Sequence, residues 1–181
     1  MAANKKRAFD GLYAQLEEVN NHVVLFAAKG EPSVIFEMTN PVQQLCTDAE
    51  QYLRFQDVLS NIVQTLGEGY ALQKQDVFCK QSYHHEVPED AEFLTRSYFR
   101  YFEGREFTEI RTFLILTQEA QHSQFVQYDP KKWLDFHAKV NKVSDILSEK
   151  HIRHRMLSKE EVNEYCHRFM AFQFRHGPFS M

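Results

Sequence analysis

The chain has 181 residues, enough for one domain but not for two full ones. Hydrophobic residues make up 43% of it and aromatics 14%, including 16 Phe, which excludes a disordered chain. Twenty-one Lys and Arg against 25 Asp and Glu leave a net charge of −4, the wrong sign for a protein held mainly by phosphate contacts, so nucleic acid is disfavoured as the main ligand. The three cysteines, Cys46, Cys79 and Cys166, are odd in number and widely spaced, which argues against a disulfide framework and fits a reducing compartment. No apolar run approaches the roughly 20 residues of a membrane-spanning helix. The polar residues after Lys5, Lys6 and Arg7 do not make a secretion signal.

In chain order, residues 1–20 have Phe9, Leu12, Leu16 and Val19 at spacings of three and four, a pattern open to either a helix or an extended segment. Two β-rich runs flank Lys29, Gly30, Glu31, Pro32 and Ser33, and they predict a hairpin over 22–38. Thr47 and Glu50 have capping-box spacing, and Tyr52, Phe55, Val58, Leu59, Ile62, Val63 and Leu66 recur at helical spacing. A helix over 48–66 follows, ended by Gly67 and Gly69. Loose alternation predicts a strand over 69–80. A short helix holds Phe93, Leu94, Tyr98, Tyr101 and Phe102 and closes at Gly104, and a central strand covered on both faces runs through 110–116. Asp129 and Pro130 open another helix, and Ser158 with Glu161 caps the last one. This order predicts an α+β fold: a mixed or antiparallel sheet of about four strands covered by helices, in a single domain over 21–181 that is helical from about 130.

Chemistry is sparse. Gly67 and Gly69 are not followed by the Lys of a phosphate-binding loop, so they read as helix stops and no ATP site is expected. Glu119 with His122, and Glu164 with His167, match E-x-x-H, but the further inward glutamates of a di-metal site have no candidates, and neither a metal nor another cofactor is expected. Neighbouring Cys166 and His167 diverge by about 100° on a helix, which makes Cys166 a core residue rather than a nucleophile. His84, His85, His151 and His154 read as exposed connections, and the basic cluster Lys150, His151, Arg153, His154 and Arg155 as solvated surface. The aromatics of the 93–102 helix stand out. Tyr98, Phe99, Tyr101 and Phe102 cannot share one buried stripe, and aromatics beside Arg96 and Arg100 have the composition of an interface core. Arg96, Tyr98, Phe99, Arg100, Tyr101 and Phe102 are therefore the candidate protein-contact residues.

Lys29-Gly30-Glu31-Pro32-Ser33 with Ile35-Phe36-Glu37, the run Tyr70-Ala71-Leu72-Gln73-Lys74-Gln75-Asp76, the Phe93-Leu94 helix and Phe113-Leu114-Ile115-Leu116-Thr117 together resemble the N-terminal region of TraG-type ATPases of Bacteroidetes conjugative transposons, relatives of the large ATPases of type IV secretion. The resemblance covers most of residues 20–181. It implies an N-terminal domain whose longer parent is an ATPase, with the phosphate-binding motor further along, so that this chain supplies assembly contacts and no catalysis. The implied partners are the chain's own C-terminal motor domain, sister subunits and membrane components of the conjugation machinery. The implied location is cytoplasmic, at the inner-membrane face. The terminal run from Phe174 to Met181, with Phe179 after a turn, fits an opening into further structure. The competing classes are a small metal-dependent enzyme built on the two E-x-x-H pairs and a nucleic-acid module built on the basic cluster.

Overall fold

A computed structural model describes residues 13–19, 21–40, 49–88, 90–119 and 129–171. Its elements are strands β1 (Tyr13–Val19), β2 (His22–Ala27) and β3 (Pro32–Met38), helix α1 (Ala49–Leu66), strand β4 (Tyr70–Ser82), helix α2 (Phe93–Phe102), strand β5 (Glu106–Gln118), helix α3 (Pro130–Glu149), strand β6 (His154–Met156) and helix α4 (Lys159–Ala171). The six strands form one sheet in the order β1-β2-β3-β5-β4, with every pairing antiparallel and β6 beside β3. This is the α+β class expected from the sequence, with two more strands than the four expected.

Both extra strands have a physical reason. In residues 13–19 Leu16 packs against the core that holds Leu25 and Ile35, and the backbone is satisfied by pairing along β2, from Val19 opposite His22 to Tyr13 opposite Ala27. The hairpin β2–β3 pairs only through Leu25 with Ser33 and Phe26 with Pro32, so the far half of β3 has a vacant edge beside it. Residues 154–156 fill that edge, with Phe36 opposite Met156 and Met38 opposite His154. The segment beyond 130, expected to be helical throughout, therefore contains one strand. It also corrects the reading of His154 as an exposed connection: it is half-buried, its Nε2 lies 2.8 Å from the Ser144 hydroxyl, and its Nδ1 lies 2.9 Å from the Ile152 carbonyl.

Alternation along the strands sends apolar side chains to both faces of the sheet. On one face Val34, Phe36, Met38, Leu114 and Leu116 meet Phe55, Ile62 and Leu66 of α1 and Phe136, Val140, Val143 and Leu147 of α3. On the other, Ile35, Phe113, Val77 and Cys79 meet Val162, Tyr165 and Cys166 of α4. Phe113, Leu114 and Leu116 are fully buried, as expected of a central strand. Burial pushes the Cys166 thiol up to about 11, the behaviour of a small core residue, while His167 beside it is exposed.

Local signals fix the helix ends. Asp129 accepts a hydrogen bond from the Lys131 amide at 2.9 Å, with Pro130 in the first turn. Ser158 and Glu161 form the reciprocal box: the Ser158 amide donates to Glu161 Oε2 at 2.8 Å, and the Glu161 amide donates to Ser158 Oγ at 3.3 Å. Gly67, at φ 73°, ends α1 in the left-handed region, its amide donating to the Val63 carbonyl. Thr47, Cys46, His122 and the aromatics Phe172, Phe174 and Phe179 lie outside the described residues, as does the chain before residue 13.

Candidate protein-contact surface

Strands β4 and β5 are 13 residues each and pair along their whole length, from Tyr70 opposite Gln118 to Ser82 opposite Glu106. Strand β3 accompanies β5 only from Thr117 back to Thr112. At about 3.4 Å per residue, the remaining six residues of β5 carry the ribbon about 20 Å past the edge of β3. Helix α4 covers one side of this arm as far as Cys79, but the other side is uncovered at Phe78, which is 64% exposed. The arm ends in the 83–105 connection, and α2 sits at its tip.

Helix α2 has no buried residue. Rings from the arm hold its inner side: Tyr83 stacks on Phe99 at 6.5 Å and meets Phe102 edge-on at 6.1 Å, and His85 stacks on Phe99 at 4.6 Å. Backbone bonds join the tip to the ribbon, with the Gly104 amide donating to the Tyr83 carbonyl at 2.8 Å and the Tyr83 amide to the Arg105 carbonyl at 2.9 Å. His84 Nδ1 lies 2.6 Å from Glu103 Oε1, and the Arg105 guanidinium lies 3.6 Å over the Tyr101 ring.

Of the sequence-predicted contact residues, Phe99 and Phe102 are half-buried and serve this inner seam. Tyr98 and Tyr101 remain 57% and 60% exposed. Arg96 donates from Nη2 to the Ala91 carbonyl at 2.8 Å, bracing the start of its own helix. Arg96, Arg100, Phe99, His85, Val87 and Glu103 line an open groove of about 520 Å³ along one flank. Phe93 and Leu94 belong to the apolar face expected from sequence but lie outside the expected contact set. At 80% and 76% exposure they are the most solvent-facing apolar side chains of the helix. The signal was available: at 100° per residue, Phe93, Ser97 and Tyr101 with Leu94 and Tyr98 fall on one stripe, opposite Phe99. Continuous exposed apolar surface of this kind marks interaction sites in folded proteins.

The other candidate groups are spoken for or scattered. Glu164 pairs with Arg168, Glu119 is exposed, and among the described residues no three His, Cys, Asp or Glu side chains converge on a point that could hold a metal ion. Of the basic cluster, Lys150, His151, Arg153 and Arg155 are exposed as expected, and Arg155 is in addition paired. Its guanidinium donates to Glu161 at 2.7 and 2.8 Å and to Glu37 Oε2 at 2.6 Å, while Arg111 Nε donates to Glu37 Oε1 at 2.6 Å. This network ties the edge of β3 to β5, β6 and α4. The Arg155 side chain beside Glu161 holds the Glu161 carboxyl below the usual range. Among the described residues no helix is long and apolar enough to cross a membrane. No protein-family model matches the chain, and no curated protein matches it.

Proposed function

We propose that the chain is an interaction and assembly domain belonging to the N-terminal part of a TraG-type conjugative DNA-transfer ATPase. The observation that carries the interaction reading is the arm tip, where Phe93, Leu94, Tyr98 and Tyr101 stand exposed on a helix that contributes nothing to either core. Ordering those rings in water, away from the sheet, stabilises the monomer little, whereas burial against a partner is worth about 25 cal/mol per Å² of apolar surface. The machinery is supplied by the resemblance. The segments that carry it are the β2–β3 turn, the first half of β4, the start of α2 and the centre of β5. In this reading the domain docks on its own motor domain, on sister subunits or on channel components at the cytoplasmic face of the inner membrane, and the parent's hydrolysis takes place in the motor.

The test is a mating assay in cells carrying a Leu94→Ala/Tyr98→Ala chain at wild-type abundance, together with photocross-linking from position 98. The expected result is a fall of DNA transfer by tenfold or more and cross-links to the motor or to channel subunits. Unchanged transfer overturns the proposal.

A further inference from the structure

We propose that the arm tip pairs with a second copy of this chain, helix α2 packing antiparallel on its twin about a two-fold axis at Ser97. The inference rests on reading the tip as a contact surface, and it names the occupant.

Three features point to a twin. The first is the symmetry of the stripe. Ser97 is its small central residue, with Phe93 one turn before and Tyr101 one turn after, so reversing the helix about Ser97 sets Phe93 against the twin's Tyr101 and Tyr101 against its Phe93. A serine at the centre lets two helices approach closely, and the rings on either side then fill the space that opens away from the axis. Such an interface is isologous and closes at two copies.

Charge is the second. Along the flank of the stripe the order is Glu92, Arg96, Arg100, Glu103. Reversal about Ser97 brings Glu92 within about one turn of the twin's Arg100, and Arg100 of the twin's Glu92, two opposite-sign pairs that offset the approach of Arg96 to the twin's Arg96 made by the same operation. A partner of uniform charge would meet one sign of this flank and be repelled by the other.

Area is the third. With roughly 200 Å² for a whole large side chain, the exposed fractions of Phe93, Leu94, Tyr98 and Tyr101 sum to about 500 Å² per copy and about 1,000 Å² for the pair. That reaches the lower bound for specific association, in the range of reversible rather than obligate dimers. Because the arm carries α2 beyond the sheet, the two bodies need not collide when the tips meet.

The experiment measures the mass of the whole chain by sedimentation across a dilution series, alongside two cysteine variants and one charge variant. Ser97→Cys should form a disulfide-linked dimer under mild oxidation, whereas Thr95→Cys, on the opposite side of the helix, should not. Leu94→Glu/Tyr98→Glu should weaken association by tenfold or more and leave circular dichroism unchanged, since neither side chain belongs to a core. A chain that stays monomeric at every concentration, a dimer that survives the Leu94→Glu/Tyr98→Glu change, or equal linking at 95 and 97 overturns self-pairing. If the monomer is found while transfer still falls in the mating assay, the contact surface stands and its occupant is another protein. Self-association without any effect on transfer rejects the conjugation reading and keeps the twin.

Discussion

His22, at the start of β2, and His137, on α3, are each only 6% exposed, with rings stacked at 4.8 Å and Nδ1 atoms 2.6 Å apart. One Nδ1 must donate and the other accept, so the pair holds at most one imidazolium, and a second added proton would leave no acceptor and set two cations side by side. His137 Nε2 is buried without a hydrogen-bond partner. Burial lowers both pKa values. His137 is pushed further down by the neighbouring His22, while a hydrogen bond with Asn141 acts the other way on His22. The unfolded chain takes up protons near pH 6.5 and the folded chain binds fewer, so this stabilisation is present above about pH 6.5 and is lost as pH falls below it. The shared hydrogen bond tolerates one cation and excludes the second, so between about pH 7.5 and pH 5.5 the excluded proton destabilises the fold by at most RT ln 10, about 1.4 kcal/mol. In a domain of this size that is a drop of roughly 3–5 °C in Tm. Trp133, the single tryptophan, meets His137 edge-on at 4.6 Å and reports the region by its fluorescence during urea unfolding. In a His22→Phe/His137→Phe variant, stability should change by about 1.4 kcal/mol less over the same pH interval. An unaltered pH slope refutes the argument.

Four further outcomes are expected. Phe136→Ala empties the fully buried centre of the core between sheet, α1 and α3 and should cost about 3–5 kcal/mol in denaturant unfolding. Glu161→Ala removes the carboxylate half of the capping box on α4 and one acceptor of the Arg155 guanidinium, for a loss of about 1–3 kcal/mol at neutral pH; since its carboxyl is held low, the difference from wild type should shrink as pH falls below about 4.5. Gly67→Ala forces a Cβ into the left-handed region at φ 73° with open space around it, so the cost is conformational alone, about 1–2 kcal/mol by thermal melting. Calorimetric titration of the chain with Mg-ATP should give no measurable heat, and micromolar affinity would contradict the absence of a glycine-rich loop followed by Lys.

Periodicity and local signals were enough to place most of the elements. The 3.6-residue repeat of Phe55, Val58, Ile62 and Leu66 placed α1, described from Ala49 to Leu66. Ser158 with Glu161 and Asp129 with Pro130 marked true helix starts, because a cap is satisfied by side chains three or fewer positions away. The aromatic excess of 98–102 was legible for the same reason: four rings within five positions exceed any single helical stripe. Long-range decisions were not written in this way. Strand β1 and the three residues of β6 lack a strong pattern of their own, and they are strands only because β2 and the far half of β3 offer unpaired edges. His154 and Arg155 looked like solvated surface in sequence, and pairing with β3 brought them to Ser144, Glu37 and Glu161. His22 and His137, 115 positions apart, meet because α3 lies across the sheet. The exposure of Tyr98 and Tyr101 belongs to this second kind. Local spacing makes the helix amphipathic, but it was the early end of β3, six residues short of the end of β5, that carried the helix beyond the sheet and left its outer stripe in water.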